Sequence, residues 1–399
     1  MALRCLQSAG RPCTLIDTST DYRDAPAGYY QRVRSGRARE RTITVAARTL
    51  GAFTGRLASR QNTLPPPNPR IVLLRRCCLG DVLQITPLLH VLRRRYAGST
   101  IDVATEAWSA PALAGNPHLS GIIPPAVAAL RAGRYDVAIV LERSPVAGML
   151  AWAARIPIRV GLNSEGRGFA HNLRVACPPS RSEASLYLDC ARSLGVPVEG
   201  ARAAFCPGEA DSLRARALLA EHGLGPGYAA LAPGGAVNPS MTLLAKRWPA
   251  SRFAEIAMRL ARATGGAVAL LGNETDAEAC ADVQRLAGTA TVNLAGRTSF
   301  GESGALVQGA RLLLGNDSSL LHLAAAVETP FVGVYGPSDP LRHQPWGVGE
   351  QVCAPIPRAC YENGFSQLDC IGLVTVDMVW AACRRMLGQG TASPATKEL

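Results

Sequence analysis

Leu312-Leu313-Leu314-Gly315-Asn316-Asp317-Ser318-Ser319-Leu320-Leu321-His322-Leu323-Ala324-Ala325-Ala326 is an apolar run, a polar break and a second apolar run. The first run has the length of a buried strand, and the second has the spacing of a helix. Between them, Asn-Asp-Ser-Ser supplies side chains and free N–H groups for a helix start. His322 lies one turn inside that helix and faces the same end, so the turn is built to receive an anion. The same residues also have a plain reading, with Asp317 as an N-cap and His322 as a satisfied core histidine.

The pattern recurs on both sides of this stretch. Ile71-Val72-Leu73-Leu74-Arg75 reads as a buried strand, Val82 to Tyr96 as a helix, and Ile101–Ala104 and Val137–Leu141 as further strands. A second series runs through strand 228–232, helix 250–263, strand 267–271, helix 275–287, strand 312–315, helix 318–326 and strand 331–335. Strands alternating with helices predict an α/β fold with parallel sheets, here two doubly wound halves in succession. The expected domains are 70–206 and 228–387, joined by a hinge helix over 207–227 between Cys206-Pro207-Gly208 and Gly225-Pro226-Gly227, with a flexible tail at 388–399.

Residues 1–69 form a basic extension without strand patterning, and it ends in Leu64-Pro65-Pro66-Pro67-Asn68-Pro69, a stiff linker. Within it Ile43, Ala46, Leu50, Phe53 and Leu57 repeat at helical steps, with Arg41, Arg48, Arg56 and Arg60 largely off that stripe. One reading is a helix that docks on an anionic membrane surface. The other is a helix packed on the domain, or a misassigned start.

The whole chain has 399 residues, is 48% hydrophobic and carries a net charge of +12, which excludes a disordered chain. Residues 1–70 hold 12 Arg against Asp17, Asp21, Asp24 and Glu40, a surplus of 8. The remainder is therefore near neutral, which argues against a nucleic-acid partner. No run of about 20 uncharged apolar residues appears, so no membrane span is expected. Twelve cysteines at irregular spacings, with no Cys-x-x-Cys, read as thiols. The expected location is the cytoplasm, with peripheral contact at the inner face of the cytoplasmic membrane left open.

Two further constellations accompany the first. In Arg75-Arg76-Cys77-Cys78-Leu79-Gly80-Asp81 a strand end turns into a helix and presents a carboxylate where open sheets bind ligands. In Ala232-Pro233-Gly234-Gly235 and, some ten residues later, Lys246-Arg247-Trp248-Pro249, a glycine loop and two cations precede a helix. Of 42 basic residues 40 are Arg, and Lys246 is the one Lys outside the C-terminal tail. A compact ammonium there suits phosphate. Arg75, Arg76 and Lys246 together suggest a positively charged cleft.

These three motifs, in this order, resemble the bacterial heptosyltransferases of glycosyltransferase family nine, with the branch that adds the second heptose of the lipopolysaccharide core nearest. The resemblance covers about residues 70–385, including Leu368-Asp369-Cys370-Ile371 and the Val374-Thr375-Val376-Asp377 that opens a closing helix. It implies a GT-B fold of two Rossmann-like domains, the acceptor on the first and a nucleotide-sugar donor on the second. The implied reaction is an inverting transfer without a metal or other cofactor, from a donor such as ADP-heptose to a glycolipid or other glycoconjugate acceptor that carries phosphate in some versions of the reading. By resemblance Asp81 is the general base and Lys246 meets the diphosphate. Gly80, Thr242, Asp276 (with Glu274 as a neighbouring alternative), Asp317, Ser318, Ser319 and His322 are the expected donor-site residues.

The chain departs from the family at Cys77 and Cys78, where small residues are usual, at Ser319 in place of a frequent Gly, and in a longer loop from Gly235 to Lys246. A catalytically silent family member, an NAD-dependent oxidoreductase and a nucleotide-sugar epimerase remain as alternatives at this stage. The oxidoreductase lacks a Gly-x-Gly-x-x-Gly after either first strand.

Overall fold

In a computed structural model, the structure describes residues 64–238, 241–356, 361, 362, 365, 366 and 370–389. The amphipathic stretch at 43–57 lies outside them. The first half contains strands β1 (Ile71–Leu74), β2 (Ile101–Ala104), β3 (Gly121–Ile123), β4 (Val137–Val140), β5 (Ile158–Asn163) and β6 (Leu173–Ala176). Its helices are α1 (Leu79–Leu83), α2 (Thr86–Arg95), α3 (Val127–Ala132), α4 (Pro145–Ala153) and α5 (Glu183–Ser193), and α6 (Glu209–Glu221) follows.

The second half has strands β7 (Ala229–Ala232), the short pair β8 (Val237–Asn238) and β9 (Met241–Thr242), β10 (Val268–Leu270), β11 (Thr291–Asn293), β12 (Leu312–Asn316), β13 (Phe331–Tyr335) and β14 (Gly349–Cys353). Its helices are α7 (Ala250–Thr264), α8 (Ala277–Ala287), α9 (Phe300–Gly309), α10 (Ser319–Ala326) and α11 (Val376–Gln389).

Each half holds one six-stranded parallel sheet, ordered β3-β2-β1-β4-β5-β6 and β11-β10-β7-β12-β13-β14. Counted within its own half, each order runs third, second, first, fourth, fifth, sixth, so the same topology occurs twice without a visible sequence repeat. The central strands Ile71–Leu74, Val137–Val140, Ala229–Ala232 and Leu312–Asn316 are buried along their whole length. Helices on both faces require that, and it explains why these strands are unbroken apolar runs. Each sheet reverses direction between its first and fourth strands, and open sheets take ligands beyond the carboxyl ends of the strands at that point.

The structure differs from the sequence reading in particular places. The helix expected over Val82–Tyr96 is two helices, α1 and α2, separated at Gln84-Ile85. Pro87 stands in the first turn of α2, where its missing N–H is tolerated at a start but not within a continuous helix. β5, β6, β11 and β14 lie away from the sheet centres and mix polar with apolar residues, and the edge strand β3 is only three residues, so none has the run that marks β1 or β12. The helix expected as a hinge is α6, and it packs on the second half: Asp211 lies against Gly301, and Arg297 pairs with Glu221 at 3.0 Å.

Three contacts fix the halves against each other. The Phe205 amide donates to the Ala326 carbonyl at 3.1 Å, and Trp346 Nε1 donates to the Ala201 carbonyl at 3.0 Å. The third is ionic. Glu183, buried at the start of α5, accepts from Arg143 at 2.8 Å in its own half and from Arg342 Nε at 2.8 Å in the other. Burial alone would raise this carboxyl, but Arg143, Arg342 and Arg75 outweigh it and hold Glu183 below the ordinary carboxylate range.

Replacing Glu183 with Ala leaves two arginines facing each other with no shared counter-charge, and should cost about 3–5 kcal/mol. A urea titration with a midpoint within error of wild type would show that the contact is not a strut between the halves.

Candidate active site

The two switch points face each other across a cleft of about 820 Å³. From the first half come the turn after β1, Arg75 to Asp81, and the turn after β4, Glu142 to Ser144. The second half contributes the turn after β7, through Gly234 and Gly235, the turn after β12, Asp317 to Leu320, and Lys246, His322, Arg342 and His343. The three motifs singled out in the sequence therefore meet in one place.

Asp81 stands in the first turn of α1, and one carboxylate oxygen forms an ion pair with Arg75. The other oxygen has no protein partner among the described residues and is the one available to the cleft. Arg75 is largely enclosed, which by itself would lower its pKa, yet Asp81, Tyr187, Glu142 and Glu183 raise it well above the ordinary value. It stays a guanidinium that orients Asp81. The adjacent Arg76 forks onto Glu142, with Nε at 3.0 Å from both carboxylate oxygens and Nη2 at 2.8 Å from one.

Gly80 sits where α1 meets α10 of the other half. A Cβ there would stand 2.8 Å from Cδ2 of His322, closer than packed carbons tolerate. That contact brings α1 and the start of α10 together under the cleft. His322 is buried and its Nδ1 has no hydrogen-bond partner. Burial pushes it down to about 4, against the opposing pull of Asp317 and Asp81, so the ring is neutral at pH 7.

Lys246 Nζ lies 2.6 Å from Asp317 Oδ2, both side chains being largely enclosed. Burial would raise the Asp317 carboxyl, but Lys246 and His343 hold it well below the usual carboxylate range. The Lys246 segment is itself anchored. The Trp248 amide donates to Asn316 Oδ1 at 3.0 Å, and Asn316 Nδ2 donates to the carbonyls of Pro233 at 2.8 Å and Gly234 at 3.1 Å. One buried side chain thus ties β12, the glycine turn and the lysine segment together. Ser318 and Ser319 open α10 beside this pair, and the Ser318 hydroxyl is enclosed without a partner.

Two expected residues behave differently from the others. Thr242 is exposed, pairs with Val237 in the β8–β9 ribbon and does not line the cleft. That ribbon and a 3-10 turn at Leu244–Lys246 occupy what the sequence shows as an open loop. Asp276 does line the cleft, but both oxygens are in use: Oδ1 accepts from the Gly235 amide at 2.7 Å and from Arg247 at 3.3 Å, and Oδ2 from the Asn273 amide at 3.2 Å. A Cβ on Gly234 or Gly272 would collide with this side chain, so here Asp276 braces the glycine turn. Glu274 is exposed and outside the cleft lining.

The expectation of a positively charged cleft needs correction. Arg75, Arg76 and Lys246 are each paired, with Asp81, Glu142 and Asp317 respectively, so the cleft is a lattice of ion pairs and not an open positive field. The sequence reading takes Asn316 only as part of a helix start and does not single out Glu142, Glu183, Arg342 or His343. Glu142 pairs with Arg76, 66 residues away, Asn316 with Trp248, 68 away, and Glu183 with Arg342, 159 away, and no local spacing announces these contacts. Among the described residues, no group of three or more His, Cys, Asp or Glu side chains gathers to hold a metal ion.

Two Rossmann-like domains with facing carboxyl edges define a GT-B fold, the architecture of a nucleotide-sugar glycosyltransferase. The family model for glycosyltransferase family 9 (heptosyltransferase) matches residues 126–364. Lipopolysaccharide heptosyltransferase 2 of Escherichia coli K12 is 30% identical over 300 residues, covering 68% of this chain and 84% of that protein. The corresponding protein of Salmonella typhimurium LT2 is 29% identical with the same coverage. Among solved structures, a family 9 glycosyltransferase from Veillonella parvula has a TM-score of 0.69 at 23% identity, covering 82% of this chain and 98% of its own. ADP-heptose lipopolysaccharide heptosyltransferase II of E. coli has a TM-score of 0.64 at 24% identity, covering 81% and 100%. The chain belongs to glycosyltransferase family 9, and it is a glycosyltransferase.

The histidines give a pH prediction. His322 and His171 are both held at about 4, from an ordinary 6.5, by burial. Above pH 6.5 neither the folded nor the unfolded chain protonates them, so they do not affect stability. Between 6.5 and 4 the unfolded chain takes up protons that the folded one refuses, so stability falls as pH falls. Asp317 and Glu183, held below their ordinary values, stay ionised in the folded state and add their own loss only near pH 4 and below. Tm should be level from pH 8 to 7 and drop steadily from 6.5 to 5. A level Tm down to pH 5 would contradict the neutral, buried assignment of both rings.

Proposed function

We propose that the protein transfers a heptose from ADP-heptose to a glycolipid acceptor of the lipopolysaccharide-core type, with inversion and without a metal. The observation that carries this reading is the placement of a carboxylate with one unpartnered oxygen, Asp81, across the cleft from a cation-bearing helix start, Lys246 with Asp317 to Ser319. Such a pair can do the two things the reaction requires. The acceptor hydroxyl oxygen attacks the anomeric carbon, its proton passes to the free oxygen of Asp81, and Arg75 keeps that carboxylate aimed. On the opposite side of the same carbon the bond to the diphosphate oxygen breaks.

The ADP so formed leaves with added negative charge. Lys246 and the first N–H groups of α10 are fixed in advance where that charge develops, in an enclosed site where their effect is large. Asp317 then acts as the resting partner of Lys246, holding the ammonium in place until phosphate arrives. Asp276 and Asn316 are positioning residues that shape the glycine turn on which the nucleotide lies. The acceptor half presents Arg76, Arg143 and Trp108, the groups a phosphorylated sugar would meet on approach.

Asp81→Asn should lower kcat by about 100- to 10,000-fold, the span of general-base effects, while the Kd for ADP stays close to wild type. Turnover within a factor of about three of wild type would remove Asp81 from this role. Lys246→Ala should weaken ADP binding by roughly 10- to 100-fold in calorimetry, and the double variant Lys246→Ala with Asp317→Asn by less, because no unpaired carboxylate then faces the phosphates. Turnover with ADP-heptose should be unaffected by a chelator, and thermal stabilisation should be greater with ADP than with UDP or GDP. A preference for another nucleoside diphosphate would keep the mechanism and replace the donor.

A further inference from the structure

Helix α4 breaks the rule that surface helices follow. All nine of its residues, Pro145-Val146-Ala147-Gly148-Met149-Leu150-Ala151-Trp152-Ala153, are apolar. One side, Ala147, Gly148 and Ala151, is buried on the first sheet with Val72, Leu74 and Val140. The opposite side is open to solvent, with Val146 44%, Met149 49% and Trp152 63% exposed. A helix apolar all round belongs in an interior or against another apolar medium, whereas a water-facing side is ordinarily polar. These three side chains recur every three residues, so they form one stripe about 120° wide and about 9 Å long.

The surroundings of the stripe are basic. Arg131, at the end of α3, donates to the Ala153 carbonyl at 2.8 Å, and Arg134 and Arg155 are exposed beside it. Across residues 121–164 there are five arginines and only two acids, Asp136 and Glu142. Of these acids Glu142 is paired with Arg76, and Asp136, which accepts from the Arg70 amide, is the one left to set against the arginines. The stripe also begins at the site. Ser144 caps α4, and Ser144 and Arg143 line the cleft on the side that carries Asp81.

We propose that α4 and its arginine collar form the face by which the protein docks on an anionic lipid bilayer, with the acceptor side of the cleft at the membrane surface. Trp152 and Met149 would enter the headgroup boundary while Arg131, Arg134 and Arg155 meet lipid phosphates, the division of labour of an interfacial helix. Charge complementarity selects this occupant. A second copy related by a two-fold axis would set one arginine collar against another. The basic N-terminal extension, with a surplus of 7 charges over residues 1–69, has no electrostatic reason to cover the same face. The inference deepens the proposed function, resting on it only for a lipid-borne acceptor, and its test uses neither donor nor acceptor.

The experiment is flotation of the full chain with vesicles of phosphatidylethanolamine and phosphatidylglycerol, and with vesicles of phosphatidylcholine alone. Wild type should float with the anionic vesicles, less in high salt, and remain behind with the neutral ones. Met149→Ser with Trp152→Ser should reduce the bound fraction at least about tenfold, and Arg134→Glu should reduce it on anionic vesicles. Met149→Leu with Trp152→Phe should restore binding. Each variant should keep the thermal shift given by ADP, which shows that the fold and donor site are intact. Equal flotation of the serine variant and wild type, equal binding to neutral vesicles, no flotation of wild type, or a change in oligomeric state in place of vesicle binding would each overturn the assignment. A protein that floats as described yet fails to use ADP-heptose would overturn the donor instead.

Discussion

The Glu183 carboxylate lies between an arginine of each domain, and the geometry of the cleft depends on it. Arg143 reaches it from the turn after β4 and Arg342 from beyond β13, so both rims of the cleft end on the same buried acid. Its backbone amide also donates to the Arg342 carbonyl at 3.1 Å, which fixes the approach of the second rim in direction as well as distance. An apolar contact of similar area would hold the halves together but permit sliding, because it has no direction. A three-body ion pair with defined donors resists sliding.

The remaining charges of the cleft follow the same pattern. Asp81 is tied to Arg75, Glu142 to Arg76 and Asp317 to Lys246, so the resting site is close to electrically balanced although several of its members are enclosed. Unpaired, these groups would cost several kcal/mol each to bury. Paired, they are oriented before a substrate arrives, which is the preorganisation that makes electrostatic catalysis effective. In the proposed reaction, donor and acceptor binding is an exchange of partners: a diphosphate competes with Asp317 for Lys246, and an acceptor hydroxyl takes the Asp81 oxygen that Arg75 leaves free. The neutral His322, packed against Gly80 beneath both pairs, adds no charge to this balance.

What could be read from the sequence was what is local. The apolar runs of β1, β4, β7 and β12 identify central strands because both of their faces are covered, and the turns that follow them hold Asp81, Gly234 and Asp317 at predictable places. Edge strands such as β14, Gly349–Cys353, carry polar residues on their open side and lose that signature. The break between α1 and α2 was written in Pro87, but an uninterrupted apolar periodicity masked it. Asp276 shows a different limit: its position at the cleft was legible, but not that the Gly235 and Asn273 amides already occupy its oxygens. Glu183 and Arg342 were out of reach, since a salt bridge over 159 residues leaves no mark on either neighbourhood.

The uneven use of arginine and lysine acquires a physical meaning in this site. A guanidinium is planar and forks onto a carboxylate, as Arg76 does on Glu142 and Arg181 on Asp189 with contacts at 2.7 and 3.1 Å. Such pairs fix orientation and suit struts, and the arginines of the cleft rims serve as struts. An ammonium is a compact charge on a flexible stem with no preferred plane. Where charge moves during a reaction, from a bridging oxygen onto a departing phosphate, a rigid fork would fit one state and lose contact with the other. Lys246 instead has a short contact to Asp317, in a segment whose backbone Trp248 and Asn316 hold still. In the proposed reaction, a chain with 40 arginines thus places its one lysine outside the C-terminal tail where the counter-charge has to travel.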